Sequence, residues 1–262
     1  MTILDDIRAH KVVELAARER QRPLAEVKAA CEDAPAARSL PHALKAAAQA
    51  NGIGLIAEVK RRSPAAGVLR ADADAPLLAC TYASAGAAAI SVLTDERFFG
   101  GADADLRAVR AKVDAPVLRK DFTLSPYQIY EARSLGADVV LLIASLLDDE
   151  QISSFLGIVG ELGMSAIVEV HSQAETERAV AVGAPIIGIN NRDLSTFTVD
   201  LGTTERLRSR IPKETIVISE SGISCRADVE RAQQAGAQAI LVGEALLRAE
   251  DPAAKVRELL GR

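Results

Sequence analysis

Four charged side chains, Glu58, Lys60, Lys120 and Glu169, stand at the ends of short apolar runs: LIAEVK (55–60), APVLRK (115–120) and SAIVEV (165–170). Glu58 and Lys60 are two residues apart, so on a strand they share a face, and one points inward if the other does. Two ammonium and two carboxylate groups carry no net charge, and partial neutralisation would let them gather in a cavity where an isolated charge is costly. Such a cluster has the parts of a proton-transfer site. An ammonium donates a proton, a carboxylate accepts one, and neighbours are expected to shift both toward neutral pH. Other apolar runs also end on polar residues: Asn190-Asn191-Arg192, Ser219-Glu220-Ser221-Gly222 and Gly243-Glu244.

The last two of these suggest what a substrate carries. SESGI (219–223) and LVGEALL (241–247) place Ser and Gly immediately before helical sequence. Backbone N–H groups at Gly222 and at 243–245 are then free to face an anion, the arrangement of a phosphate site after the seventh and eighth strands of a barrel.

The elements that position these residues follow from a repeat. SAGAAAISVL (84–93), SLGADVVLLI (134–143), AVGAPIIGIN (181–190) and QAGAQAILVG (234–243) each join a helix-closing Gly to a short apolar run, and Gly86, Gly136, Gly183 and Gly236 lie 50, 47 and 53 residues apart. Each interval spans two strand-plus-helix units. Adding the intervening runs, with TIVISE (215–220) as the fourth, makes eight strands. Runs this short and this continuously apolar suit parallel strands buried on both faces. Eight such units predict an α/β fold, a single (β/α)8 TIM barrel with an N-terminal helical extension. The domain reading is one unit over 1–262, with 51–262 as barrel core and 1–50 as helices packed on it. Residues 3–20 carry apolar side chains at Ile3, Leu4, Ile7, Val12, Leu15 and Ala16, near a helical period, which predicts an amphipathic helix clamping part of the barrel. Arg119 and Asp121 flank Lys120, and alternation is expected to turn both toward the helices.

Composition narrows the partners. A net charge of −5 with both signs interspersed argues against nucleic acid and against a membrane surface. No apolar stretch approaches the roughly 20 residues of a membrane span, and the first residues are too charged for a signal sequence, so a cytoplasmic location is expected. Cys31, Cys80 and Cys225 are scattered and unaccompanied by His, which argues for packing rather than a disulfide or zinc site. The alanine-rich helix faces leave monomer or weak homo-oligomer as the expected state. From the residues alone, a barrel enzyme isomerising a phosphoribosyl amine and a non-catalytic sugar-phosphate binder stay open. The Glu58, Lys60 and Lys120 set favours neither.

IAEVKRRSPAAGVL (56–69) closely resembles the signature of the indole-3-glycerol phosphate synthase family, and the resemblance continues through SVLTDERFFGG, VLRKDFTLSPYQIYEARSLGADVVLLI, IVEVHSQAE, IGINNRDLSTFTVD, ISESGI and ILVGEALL. It implies ring closure of 1-(2-carboxyphenylamino)-1-deoxyribulose 5-phosphate to indole-3-glycerol phosphate, with loss of CO2 and water, in tryptophan biosynthesis. The family uses no cofactor and no metal. By resemblance Lys120 is the general acid, Glu169 the carboxylate that supports developing charge on the anilino nitrogen, and Glu58 with Lys60 the pair for dehydration. Asn190 and Arg192 grip the anthranilate portion, Ser221 is a polar contact, and Phe99 and Phe122 pack around the ring. Ser63 and the amides of Gly222, Gly243 and Glu244 resemble the phosphate cradle. Two positions depart from the family pattern: Ala65 and Ala102 stand where Ser is common.

Overall fold

The architecture comes from a computed structural model that describes residues 3–193 and 196–262. Residues 1 and 2 of the N-terminal extension and 194 and 195 of the NNRDLSTF stretch lie outside the described residues. Eight parallel strands close into a barrel: β1 (Gly54–Val59), β2 (Ala89–Leu93), β3 (Val117–Lys120), β4 (Val139–Ile143), β5 (Ser165–Val170), β6 (Ile186–Asn190), β7 (Ile216–Glu220) and β8 (Ala239–Val242), with β8 hydrogen-bonded back to β1. Every residue of β1, β2, β4, β6 and β8 is buried, which is why these runs are continuously apolar instead of alternating.

The extension contains α1 (Ile3–Gln21), α2 (Leu24–Glu32) and α3 (Leu40–Asn51). Crossovers and the strand-end loops supply α4 (Ala75–Ala85), α5 (Glu96–Phe99), α6 (Asp103–Arg110), α7 (Pro126–Ser134), α8 (Asp149–Glu161), α9 (Gln173–Ala181), α10 (Gly202–Arg208), α11 (Arg226–Gln234), α12 (Glu244–Arg248) and α13 (Pro252–Leu260). Their starts are written locally. Asp74, Asp95, Ser125, Ser172 and Asp251 each accept a backbone N–H from the first turn of the following helix, and Asp148 with Gln151 forms a capping box. The repeated glycines take the left-handed conformation that closes a helix; φ is 113° at Gly86 and 92° at Gly136. A two-stranded hairpin, Arg62–Ser63 with Gly67–Val68, follows β1 at the barrel mouth and was not expected from the sequence pattern.

Helix α6 lacks the cap its neighbours have. Ala102 occupies the N-cap position with no side-chain oxygen to accept the free N–H groups. Ala102→Ser is therefore expected to stabilise the protein by about 1 kcal/mol, seen as a higher denaturation midpoint with unchanged denaturant slope.

Helix α1 corrects the amphipathic reading. Its buried residues are Ile7 and Lys11, whereas Val12 is 55% exposed, Ala16 is exposed and Leu15 only half-buried. The helix docks by charge. Lys11 Nζ lies 3.0 Å from Asp95, 2.9 Å from Asp121 and 3.0 Å from Glu14. About two turns on, Arg18 meets Asp103 at 2.6 Å and Glu131 at 3.0 Å. The reason is position: the first turn covers the apolar mouth, while later turns cross the β2 and β3 ends, where buried carboxylates require cations.

The three cysteines are free and half-buried. Among the described residues no helix is long and apolar enough to cross a membrane.

Candidate active site

The C-terminal ends of the strands surround a cavity of about 380 Å³. Glu58, Lys60, Ser63, Phe99, Lys120, Phe122, Glu169, Asn190, Arg192, Ser221, Gly222, Gly243 and Glu244, the residues singled out from the sequence, all line it. Ile3, Leu4 and Ile7 of α1 close one side.

Lys120, the last residue of β3, turns inward, and its ammonium lies 2.6 Å from Glu169 Oε2 and 3.1 Å from Glu220 Oε2. Lys60 directly follows β1, and its Nζ lies 2.6 Å from Glu58 Oε1, so the strand's alternation carries on for one more residue. Burial alone would lower the Lys120 pKa, but Glu169, Glu220 and Glu58 outweigh it and raise it above the ordinary lysine value. Burial likewise works against ionised Glu169, and Lys120 with His171 reverses the effect, holding this carboxyl below the usual range. The expectation that both partners shift toward neutrality thus fails for this pair, because each stabilises the charge on the other. Glu220 is the group that moves toward neutrality: burial first, and the nearby Glu169, push it up to about 7 against the pull of Lys120.

Glu220 was the main omission from the sequence-derived site. It looked like one polar residue in a run of four, yet it occupies the last position of β7 as Lys120 does of β3, and Asn190 is its register partner on β6. Its room is made by Gly188. A Cβ at that position would lie 2.1 Å from Glu220 Oε1 and 2.9 Å from Ile167 Cγ2. Gly188→Ala is expected to push the Glu220 carboxylate off Lys120 and lower kcat about 10²-fold, the cost of an ångström-scale displacement beside the proposed acid. Steady-state kinetics with an unchanged circular dichroism spectrum would check this.

Asn190 donates to Glu169 Oε1 at 3.3 Å and accepts from the Arg192 backbone N–H at 3.0 Å. The Arg192 guanidinium donates to the Phe197 carbonyl at 3.3 Å and stands 3.9 Å from Glu244. Lys60, Lys120 and Arg192 thus share the cavity with Glu58, Glu169 and Glu220, and Arg248, Asp121 and Glu244 also border it. Asn191 faces away from it and staples β7 in place, donating to Ser219 Oγ and the carbonyls of Glu220 and Ser221. That clamp holds Ser221 at φ 67°, an uncommon conformation for a residue with a side chain, followed by Gly222 at φ 83°. Gly243 admits Glu58: a Cβ there would lie 2.6 Å from Glu58 Oε1.

Phe99 and Phe122 lie with ring centroids 5.9 Å apart, forming the apolar wall beside Lys120. The Ser63 hydroxyl accepts from the Ala66 N–H at 3.1 Å, bracing the hairpin turn. Arg119 turns toward the helices as alternation requires, donating to Glu131 and Asp103. Asp121 meets it there: its carboxylate lies 3.4 Å from the Arg119 guanidinium and against helix α1. The residue directly follows β3 and also borders the cavity. Its carboxylate is committed to Lys11 at 2.9 Å and to the Thr94 hydroxyl at 2.9 Å. Burial would raise the Asp121 pKa, but Lys11 and Arg119 lower it to about 2, so it stays ionised.

A closed parallel barrel with lysine–glutamate pairs at its strand ends, lining an apolar-walled cavity, is the layout of a (β/α)8-barrel enzyme. Solved structures agree on the fold. The thiamine phosphate pyrophosphorylase from Pyrococcus furiosus superimposes with a TM-score of 0.60 at 18% identity, covering 80% of this chain and 94% of that one. A 3-hexulose-6-phosphate synthase gives 0.63 at 21%, covering 80% and 99%. The sequence resolves the family. The family model for indole-3-glycerol phosphate synthase matches residues 4–259. Proteins of that name from Nocardioides sp. JS614 and Roseiflexus castenholzii are each 49% identical, over 100% of this chain and 99% of theirs. The chain belongs to the indole-3-glycerol phosphate synthase family, a family of decarboxylating lyases.

Proposed function

We propose that this cavity closes the indole ring of 1-(2-carboxyphenylamino)-1-deoxyribulose 5-phosphate, releasing CO2 and water, by acid–base chemistry of its own side chains. The observation that carries this reading is the Lys120 ammonium held between Glu169 and Glu220 under an apolar wall. As the ring carbon that bears the carboxylate attacks the ketone carbon, Lys120 hands its proton to the ketone oxygen, which becomes a hydroxyl instead of an alkoxide. The carboxylate leaves as CO2, and its electron pair restores the aromatic ring. Glu169 stands where the anilino nitrogen gains positive charge and stabilises it. The hydroxyl then departs as water with a proton from the Lys60–Glu58 pair, and loss of a ring proton to a carboxylate completes the indole.

Substrate position follows from the same inventory. The planar guanidinium of Arg192 suits two carboxylate oxygens at once. Asn190 orients the anthranilate portion beside Glu169, Ser221 adds a polar contact, and Phe99 and Phe122 flank the ring. The amides of Gly222, Gly243 and Glu244, on the two loops where this fold gathers them, supply donors for the phosphate, joined by Ser63 from the hairpin after β1. Residues 1–50 act as a cover on a single barrel, since Ile3, Leu4 and Ile7 form part of the cavity wall, and the working unit is a monomer or weak homo-oligomer.

The test is indole fluorescence on mixing protein with that substrate; the chain has no Trp to obscure the signal. A rise in signal that persists with a chelator supports the reading, and a folded protein giving no signal overturns it.

A further inference from the structure

His171 has no place in the chemistry above and does not line the mouth cavity. It follows β5 directly, behind Glu169, and faces a second cavity of about 700 Å³ between the β5 and β6 loops. Its Nε2 lies 3.3 Å from Glu169 Oε1, and its Nδ1 lies 3.2 Å from Glu175 Oε2 on α9. The same Glu175 oxygen accepts the His171 backbone N–H at 2.8 Å, which fixes the ring in place. The ring is mostly buried. Nδ1 hydrogen-bonds to Glu175, while Nε2 stands within ion-pair distance of Glu169 without an aligned hydrogen bond, so a doubly protonated ring meets a carboxylate on each side. Beyond Glu169 and Glu175, the charged groups on this side are Asp193, Asp200 and Arg206, which line the same second cavity; Asp200 and Arg206 are paired with each other at 2.9 Å.

The arrangement bears on one moment of the reaction. Glu169 and Glu220 share the Lys120 ammonium, and when Lys120 gives its proton to the substrate both carboxylates lose that cation together. We propose that His171 is a positioning residue whose imidazolium is the second cation of Glu169, keeping that carboxylate ionised and aimed at the cavity while Lys120 is neutral. Glu169 Oε2 then serves Lys120, while Oε1 stays with His171 and Asn190. Glu175 holds the imidazolium in its charged form. Burial opposes that charge, yet the two carboxylates push the ring up to about 10.

The inference rests on the proposed reaction, and its test separates the two. The chain has three histidines, so imidazole resonances of the isotope-labelled wild type can be assigned and followed with pH. His171 is expected to stay protonated above pH 8, and to titrate at lower pH in Glu175→Gln. In His171→Gln, Glu169 loses a cation and is harder to ionise, so the acidic limb of the kcat profile is expected to move up by about one pH unit, with KM changed by less than about threefold. The deficit should widen as pH falls and close toward pH 8. A purely structural role would lower kcat in parallel at every pH, and that result overturns the inference. So does wild-type His171 titrating near its ordinary value of about 6.5, a readout that needs neither variant nor turnover. Absence of turnover in the wild type would instead remove the proposed reaction, leaving the titration to decide whether the imidazolium exists.

Discussion

Lys120→Met is expected to lower kcat by about 10²- to 10⁴-fold, the usual contribution of a positioned general acid, while KM changes only a few-fold. The fold should survive the change. Removing the ammonium leaves Glu169 and Glu220 together, but Glu220, already pushed up to about 7, can take a proton and become neutral. Glu169 keeps its contacts with His171 and Asn190. The measurement is single-turnover indole formation beside a thermal melt of the same preparation. Loss of turnover with the melting temperature nearly unchanged assigns the proton to Lys120. If the variant instead keeps turnover within about threefold and melts far lower, the cluster is a structural ion-pair network and the proposed acid is wrong.

Lys11→Met should do the reverse, costing stability first. The Lys11 ammonium is buried against Asp95 and Asp121, both of them also buried. Taking away the cation leaves two carboxylates in a low-dielectric site, and breaking a buried pair in this way costs about 3–5 kcal/mol. At about 2–4 °C per kcal/mol for a chain of this size, the melting temperature should fall by roughly 10 °C. Asp121 sits at about 2 in the folded protein, below its ordinary value, so its contribution is full above the ordinary value and is lost as pH falls toward 2. With Lys11 gone that contribution shrinks, and the difference between the two proteins should narrow in acid. A melting temperature within about 2 °C of wild type at neutral pH would show that α1 is not held by this contact. Val13→Ala, on the exposed side of the same helix, serves as the control and should shift stability by less than about 0.5 kcal/mol.

The contrast between Lys120 and Lys11 shows where reading the chain succeeds and where it stops. Lys120, Glu58, Lys60 and Glu169 were legible because each ends a buried parallel strand, and a barrel converts eight strand ends into one rim. The repeat of helix-closing glycines and apolar runs is a local pattern, so strand count, parallel order and the polar rim follow from periodicity and chain topology. Lys11 was not legible. In sequence it sits on the first helix among six apolar positions whose spacing suggested an oily face, and its partners Asp95 and Asp121 are more than 80 residues away. Glu220 was not legible for a related reason: its partner Lys120 lies 100 residues away in the chain. Alternation turned Asp121 toward the helices beside Arg119, but it could not show that Lys11 of α1 would be its partner.

The sequence alone determined the barrel, the rim and the kinds of charge gathered there, because those depend on local propensity, burial period and strand order. The tertiary structure decided which carboxylate shares which cation: Glu220 with Lys120, Glu169 between Lys120 and His171, Asp121 with Lys11. Ion pairing depends on distances of about 3 Å between groups far apart in the chain, and its strength on how deeply both are buried. Neither quantity exists until the barrel has closed.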